Sequence, residues 1–125
     1  MTRVRVETPC HPTEDPEKVR LAILNLFPDL RIEREEDLMT GTAESLERIR
    51  ELIRNEKIRD AARRQLLAGR RGNRTRVTLS KQAAAVGRVN FSVGSPLGDI
   101  VLEVESEDLA AVIDHVAEST QGPRR

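Results

Sequence analysis

The feature that most constrains this chain is the one-sided alternation of its short extended segments. In Arg3-Val4-Arg5-Val6-Glu7 the valines fall on one side and charged residues on the other. Val77 and Leu79 alternate with Arg76, Thr78 and Ser80, while Val89, Phe91 and Val93 alternate with Arg88, Asn90 and Ser92. Ile100, Leu102 and Val104 have Glu103 and Glu105 between or beside them, and Leu30 and Ile32 alternate with Arg31 and Glu33. A period of two describes a strand buried on one face only. Such strands need helices over their apolar side, which predicts an α+β sandwich of two layers: a mainly antiparallel sheet with helices on one face. The opposite face, with Arg3, Arg5, Arg31, Arg76, Thr78, Arg88 and Asn90 as candidates, is left for solvent, a second subunit or a ligand.

Between these segments the apolar period becomes that of a helix. Asp15-Pro16 supplies an N-cap acceptor followed by a residue that needs no donor at the first helical position, and Val19, Ala22, Ile23 and Leu26 form the buried stripe. Ser45 can cap a helix whose stripe is Leu46, Ile49, Leu52 and Ile53. The phase slips around Asn55 and resumes at Ile58, Ala61, Ala62 and Leu66, so two helices or one kinked helix are expected, closed by Gly69. Glu35 to Asp37 and Gly41 read as loop or strand extension, Gly72-Asn73 as a loop, and Lys81 to Gly87 as an ordered connection or short helical turn. A last helix carries Leu109, Val112, Ile113 and Val116. One domain over residues 1–118 is expected, followed by a polar, frayed tail over residues 119–125.

At 125 residues the chain is long enough for a core that needs neither disulfide nor structural metal. The single cysteine, Cys10, allows no internal disulfide, nothing at the N-terminus reads as a signal peptide, and no apolar run approaches a membrane span, so a cytoplasmic protein is expected. The net charge of zero conceals a polarity. From Arg54 to Arg88 eleven Lys and Arg stand against Glu56 and Asp60, a net +9, and the remainder of the chain carries −9. Like-charge clustering on this scale suits a polyanionic partner. Tyr and Trp are absent, leaving Phe27 and Phe91 as the only aromatics, which removes most of the usual apparatus for stacking unpaired bases.

The sequence does not favour catalysis or a cofactor. Cys10 and His11 with distant His115 are too sparse for a metal site, and a Cys10 nucleophile would lack a positioned base. Glu33, Glu35, Glu36 and Asp37 read as a solvated acidic loop, because consecutive carboxylates do not converge on a cation without a loop folded around it. The glycines of Ala68-Gly69-Arg70-Arg71-Gly72-Asn73 lack both the strand-to-helix setting and the Lys-Ser/Thr ending of a phosphate-binding loop.

Four runs carry a family resemblance: Pro12-Thr13-Glu14-Asp15-Pro16-Glu17-Lys18-Val19, Ile58-Arg59-Asp60-Ala61-Ala62-Arg63, Lys81-Gln82-Ala83-Ala84-Ala85-Val86-Gly87-Arg88-Val89-Asn90-Phe91 and Ser95-Pro96-Leu97-Gly98-Asp99-Ile100. Across them the chain, from Val4 to about Val116, resembles archaeal uncharacterised protein family 0201, whose members are labelled RNA-binding proteins or exosome subunits. The resemblance implies a fold similar to that of the large-subunit ribosomal protein that contacts 5S ribosomal RNA, and it implies RNA binding. The chain departs from the family at Ser80, where Asn is usual, and at Ala85, where an aromatic or bulky residue is common. Those departures remove a possible amide contact and a possible packing group.

Arg63, Arg64, Arg70, Arg71, Arg74 and Arg76 are the expected phosphate contacts, since they have few acidic neighbours in sequence. Lys81 and Gln82, placed between two strands, can meet a phosphate and a base edge or ribose hydroxyl, with Arg88 and Asn90 completing the set; Gln82 can equally tie its loop to neighbouring backbone. Asp60 stands at helical spacing from Arg63 and Arg64. The expected mode is non-catalytic recognition of structured or double-stranded RNA through shape, phosphates and 2′-hydroxyls. The alternative is an interaction protein that self-associates, as a homodimer, or docks on an RNA-processing complex through its open sheet face.

Overall fold

The computed structural model describes residues 2–91 and 98–119. Six strands, β1 (Thr2–Pro9), β2 (Arg31–Glu35), β3 (Leu38–Ala43), β4 (Arg70–Arg71), β5 (Arg74–Leu79) and β6 (Ile100–Ser106), form one sheet in the order β2-β3-β1-β6-β5-β4. Every pairing is antiparallel. Helices α1 (Pro16–Leu26), α2 (Glu47–Asn55), α3 (Arg59–Ala68), α4 (Lys81–Ala85) and α5 (Leu109–Val116) cover one face, which is the α+β arrangement that the one-sided alternation requires.

The register aligns the buried residues in rows. Val4 stands opposite Ala43 and Val104, and Val104 opposite Thr75. The next row is Gly41, Val6, Leu102 and Val77. Onto these rows α1 lays Val19, Ala22, Ile23 and Leu26, α2 lays Ile49, Leu52 and Ile53, and α5 lays Leu109, Ile113 and Val116. Each fully buried aliphatic side chain contributes about 1.5–3 kcal/mol relative to exposure. Asp15 caps α1 by accepting from the Glu17 amide at 3.0 Å, and the phase slip near Asn55 is a true break, with Lys57 at φ 58° between α2 and α3.

Two hairpins go beyond the sequence expectations, and one expected strand needs correction. Glu36 and Asp37 form the turn of a β2–β3 hairpin, with Glu36 at φ 52°, and Gly41 lies inside β3. Gly72 and Asn73 likewise close a β4–β5 hairpin rather than a plain loop, and a positive φ of 63° suits glycine at the first turn position. The strand expected over Val89, Phe91 and Val93 is absent from residues 88–91; Ser92 and Val93 lie outside the described residues. There the Val89 amide donates to the Glu56 carboxylate at 3.0 Å instead of to a neighbouring strand, and the alternation reflects Val89 buried beneath the helices. Of the segment expected to form the tail, residues 120–125 also lie outside the described residues.

Gly69 ends α3 and starts the hairpin. Its carbonyl accepts from the Arg76 amide at 3.2 Å, and a Cβ at this position would stand 2.0 Å from the Arg76 carbonyl oxygen. Gly69→Ala is therefore expected to lower stability by about 3 kcal/mol, because backbone on both sides must move. A urea titration checks this: the midpoint should fall with little change in slope.

Candidate nucleic-acid interface

The β4–β5 hairpin gathers the arginines that stand close together in sequence. Arg71 lies directly across from Arg74, and Arg70 across from Thr75. Ser106 donates its amide to Asn73 at 3.0 Å, and Thr75 donates its hydroxyl to the Leu66 carbonyl, so the hairpin is tied to both β6 and α3. Arg70 Nε donates to the Gly72 carbonyl at 2.9 Å and an Arg71 Nη to the Arg70 carbonyl at 2.9 Å, which folds both guanidinium groups along the turn. Arg64, on the exposed side of α3, and Arg76, on the open face of β5, complete the group.

Elsewhere on the open face, charges alternate across the strands. Glu105 is 3.7 Å from both Arg3 and Arg74, Arg5 is 3.8 Å from Glu7, and Glu103 faces both Arg5 and Arg76 in the register. At the hairpin this alternation stops. Among the described residues no carboxylate makes an ion pair with Arg64, Arg70, Arg71 or Arg76. Like charges directly opposite on paired strands destabilise, so the Arg71–Arg74 pair raises the local affinity for an anion.

The structure separates the remaining expected contacts. Arg63 is turned inward: it pairs with Asp114 of α5 at 2.5 Å and donates to the Ala117 carbonyl, while Arg59 pairs with Glu118 at 2.9 Å and Arg50 donates to the His115 carbonyl at 2.7 Å. Together these three arginines hold the C-terminal turn of α5, where the carbonyls lack helical partners. Arg63 was expected to face phosphate because its acidic partner is remote in sequence.

Lys81 is a second correction. Its side chain is only 7% exposed, and Nζ donates to the Pro9 carbonyl at 2.7 Å and to both Glu14 carboxylate oxygens at 3.1 Å. It joins α4 to the end of β1 and so cannot also reach a ligand. The Glu14 partnership was not foreseen, although Glu14 lies in one of the quoted family runs. Gln82, Arg88 and Asn90 are exposed on α4 and just after it, past the Leu79 end of β5 and so at the opposite end of that strand from Arg74; Arg88 Nε is 3.9 Å from Glu56, and the Asn90 carbonyl accepts from the Ser80 amide at 2.7 Å. Ser80 caps α4 by accepting from the Ala83 amide at 3.1 Å, a local role that an Asn side chain can also fill.

Among the described residues no group of three or more His, Cys, Asp or Glu is placed to hold a metal ion, and no helix is long and apolar enough to cross a membrane. Residues 3–43, which run from β1 through β3, match the model of a family described as RNA binding. Over 98% of its length the chain is 43% identical to a UPF0201 protein of Methanothermobacter thermautotrophicus, 96% of which is covered. It is 39% identical over 97% of its length to a UPF0200/UPF0201 protein of Archaeoglobus fulgidus, of which it spans 39%. The crystal structure of a UPF0201 protein superposes with a TM-score of 0.90 at 36% identity, covering 98% of each chain.

Glu14 makes stability depend on pH in a defined direction. Burial raises its pKa, but the His11 amide and the Lys81 ammonium together outweigh that and hold it below the ordinary 4.5. A carboxylate depressed on folding stabilises fully above its unfolded pKa and loses that contribution as pH falls through the folded value. The native protein should therefore lose stability on acidification below about pH 4.5, and Glu14→Gln should remove this part of the acid dependence. At pH 7 the same substitution leaves the ammonium without its counter-charge and should cost about 3 kcal/mol, measured by urea denaturation across pH.

Proposed function

Because this chain belongs to the UPF0201 family and its residues 3–43 match an RNA-binding family model, we propose that it binds structured or double-stranded RNA through the β4–β5 hairpin, without catalysis of its own. The observation that carries this reading is the Arg71–Arg74 juxtaposition, in which Glu105 pairs with Arg74 while no carboxylate of the described residues pairs with Arg71 or with the flanking Arg64, Arg70 and Arg76. Guanidinium groups on a rigid hairpin meet phosphate oxygens in pairs, and backbone phosphates set position without reading sequence.

Paired RNA is favoured over an open strand because the chain is poor in stacking groups. Phe27 is wholly buried, which leaves Phe91, half-buried, as the one other aromatic. A protein so equipped recognises A-form geometry by phosphates and 2′-hydroxyls rather than by a row of stacked bases. Gln82, Arg88 and Asn90 extend the contact where the RNA runs past α4. Service within an RNA-processing assembly, the exosome among them, fits a small domain that holds RNA while another subunit acts on it.

The mixed charge of the open sheet face favours a second reading there. Arg3, Arg5 and Arg74 alternate with Glu7, Glu103 and Glu105, a pattern that matches a charged protein surface, including that of a second copy, better than a uniform polyanion. Sedimentation in low and high salt distinguishes monomer from a salt-sensitive dimer.

Charge reversal at the hairpin tests the main reading. Arg70→Glu with Arg71→Glu should weaken binding to a duplex RNA of any sequence and reduce the slope of log affinity against log salt by about 2, close to 0.9 per lost phosphate contact. Arg63→Ala should leave that slope unchanged and lower stability instead, since Arg63 serves α5. Unaltered RNA affinity in the double variant would exclude the hairpin as the contact.

A further inference from the structure

The open face of the sheet carries a charge pattern that is its own complement. Arg3 and Arg5 of β1 stand beside Glu105 and Glu103 of β6 in the register, so the two central strands bear one positive and one negative column. The midline of the strand order β2-β3-β1-β6-β5-β4 falls between these columns. Both arginines are open to contact, with Arg3 78% and Arg5 57% exposed. Their ion pairs within the chain are loose: Glu105 is 3.7 Å from both Arg3 and Arg74, and Arg5 is 3.8 Å from Glu7. At such distances, longer than a hydrogen bond, a guanidinium keeps directed donors for a further acceptor above the sheet.

We propose that two copies of this chain pack open face to open face about a two-fold axis that runs along the strands between β1 and β6. The proposal rests on the reading of this face as a protein-docking surface and names its occupant. The rotation lays β1 over β6, so Arg3 meets Glu105 of the partner subunit and Arg5 meets Glu103 of the partner subunit, and symmetry repeats both pairs. On the flanks β3 lies over β5, which sets Thr42 against Arg76 of the partner subunit, and Glu7 meets Val101 of the partner subunit. In these rows no like charges face each other. Sheets packed face to face stand about 10 Å apart, a gap that an Arg and a Glu side chain span together. A two-fold across the strands would place Arg5 over Glu7 of the partner subunit but leave Glu103 over an apolar Val101, and so answers fewer charges. A polyanion gains little from this face, because its two central columns cancel. A foreign protein would have to match the columns, whereas a second copy matches them by symmetry alone. Strand spacing and rise give the shared face roughly 500 Å² per partner, which belongs to the weak, transient class of contact below about 1,200 Å² in total. Assembly therefore needs high protein concentration, and salt should oppose it.

The test is sedimentation equilibrium of the full chain from about 10 μM to about 1 mM, in about 50 mM and about 500 mM salt, a range over which exposed charges pass from weakly to strongly screened. The expected result is a monomer–dimer equilibrium whose Kd weakens about tenfold at the higher salt. A chain that stays monomeric throughout, or a dimer indifferent to salt, overturns the proposal. Two variants then address the columns. Arg3→Glu with Arg5→Glu makes the central face wholly negative, and Glu103→Arg with Glu105→Arg makes it wholly positive. Each should be monomeric alone, and an equimolar mixture should form a heterodimer tighter than the native pair. Should either fail to fold, Arg5→Gln with Glu103→Gln serves instead and should weaken the native dimer about tenfold. Glu7→Gln should leave the dimer unchanged; a loss as large as that from Arg5→Gln would overturn the axis along the strands. A native chain that remains monomeric while the two charge variants associate removes the homodimer and leaves the face as a docking surface for a complementary protein. Failure of the mixture as well removes both readings.

Discussion

The register of the central strands is the constraint on which the rest of the structure depends. Antiparallel pairing of β1 with β3 and β6, and of β6 with β5, places Val4, Val104 and Thr75 in one row and Val6, Leu102 and Val77 in the next. A slip by one residue at β1 would drive Arg3, Arg5 and Glu7 into the apolar layer and expel both valines. That cost is far larger than any single surface contact, so the alternation sets the register and the register then dictates what the open face displays. The two arginines and one glutamate of β1, and the glutamates of β6, arrive on that face as a consequence of burying the valines.

Charge placement follows from the same geometry. Where three or more strands run side by side, Glu103 and Glu105 lie between the arginines of β1 and β5 and screen them from one another. Among the described residues no strand lies beyond β4 to supply carboxylates, and Arg71 faces Arg74. The net positive charge of residues 54–88 is therefore not spread evenly. Part of it holds α5 through Arg59 and Arg63, part is sealed into the junction of α4 with β1 at Lys81, Arg54, Lys57 and Arg88 lie on or beside α2 and after α4, and Arg70, Arg71, Arg74 and Arg76 stand together at the sheet edge. At the other end of the strand order, β2 and its turn carry Glu33, Glu35, Glu36 and Asp37 against Arg31 and Arg34, a small net negative charge.

Local signals read from the sequence held where a single residue or spacing decides the outcome. Asp15-Pro16 starts α1, the slip at Asn55 separates α2 from α3, and the helical stripes of α1 and α2 are buried as their spacing requires. They failed where two patterns look alike. Val89 and Phe91 alternate as a strand would and both pack toward the core, yet residues 88–91 form no strand, although the Asn90 carbonyl accepts from the Ser80 amide just past β5. The β2–β3 turn escaped notice because Glu36 adopts a positive φ that is uncommon for a side-chain-bearing residue, and acidic runs read more simply as loops. Two-residue β4 is too short to carry any period.

By itself, the sequence determined the class of fold, since one-sided strands and amphipathic helices admit few arrangements other than a sheet covered on one face, and it determined that a large positive charge lies between Arg54 and Arg88. Which of those cations can meet a ligand was decided only by tertiary structure. Arg63 finds Asp114 fifty-one residues away, and Lys81 finds Glu14 at a separation of sixty-seven. Coulombic pairing depends on distance in space and on local dielectric, neither of which is encoded near the residue itself, so the sequence could place the charges in one stretch but could not say which of them folding would neutralise.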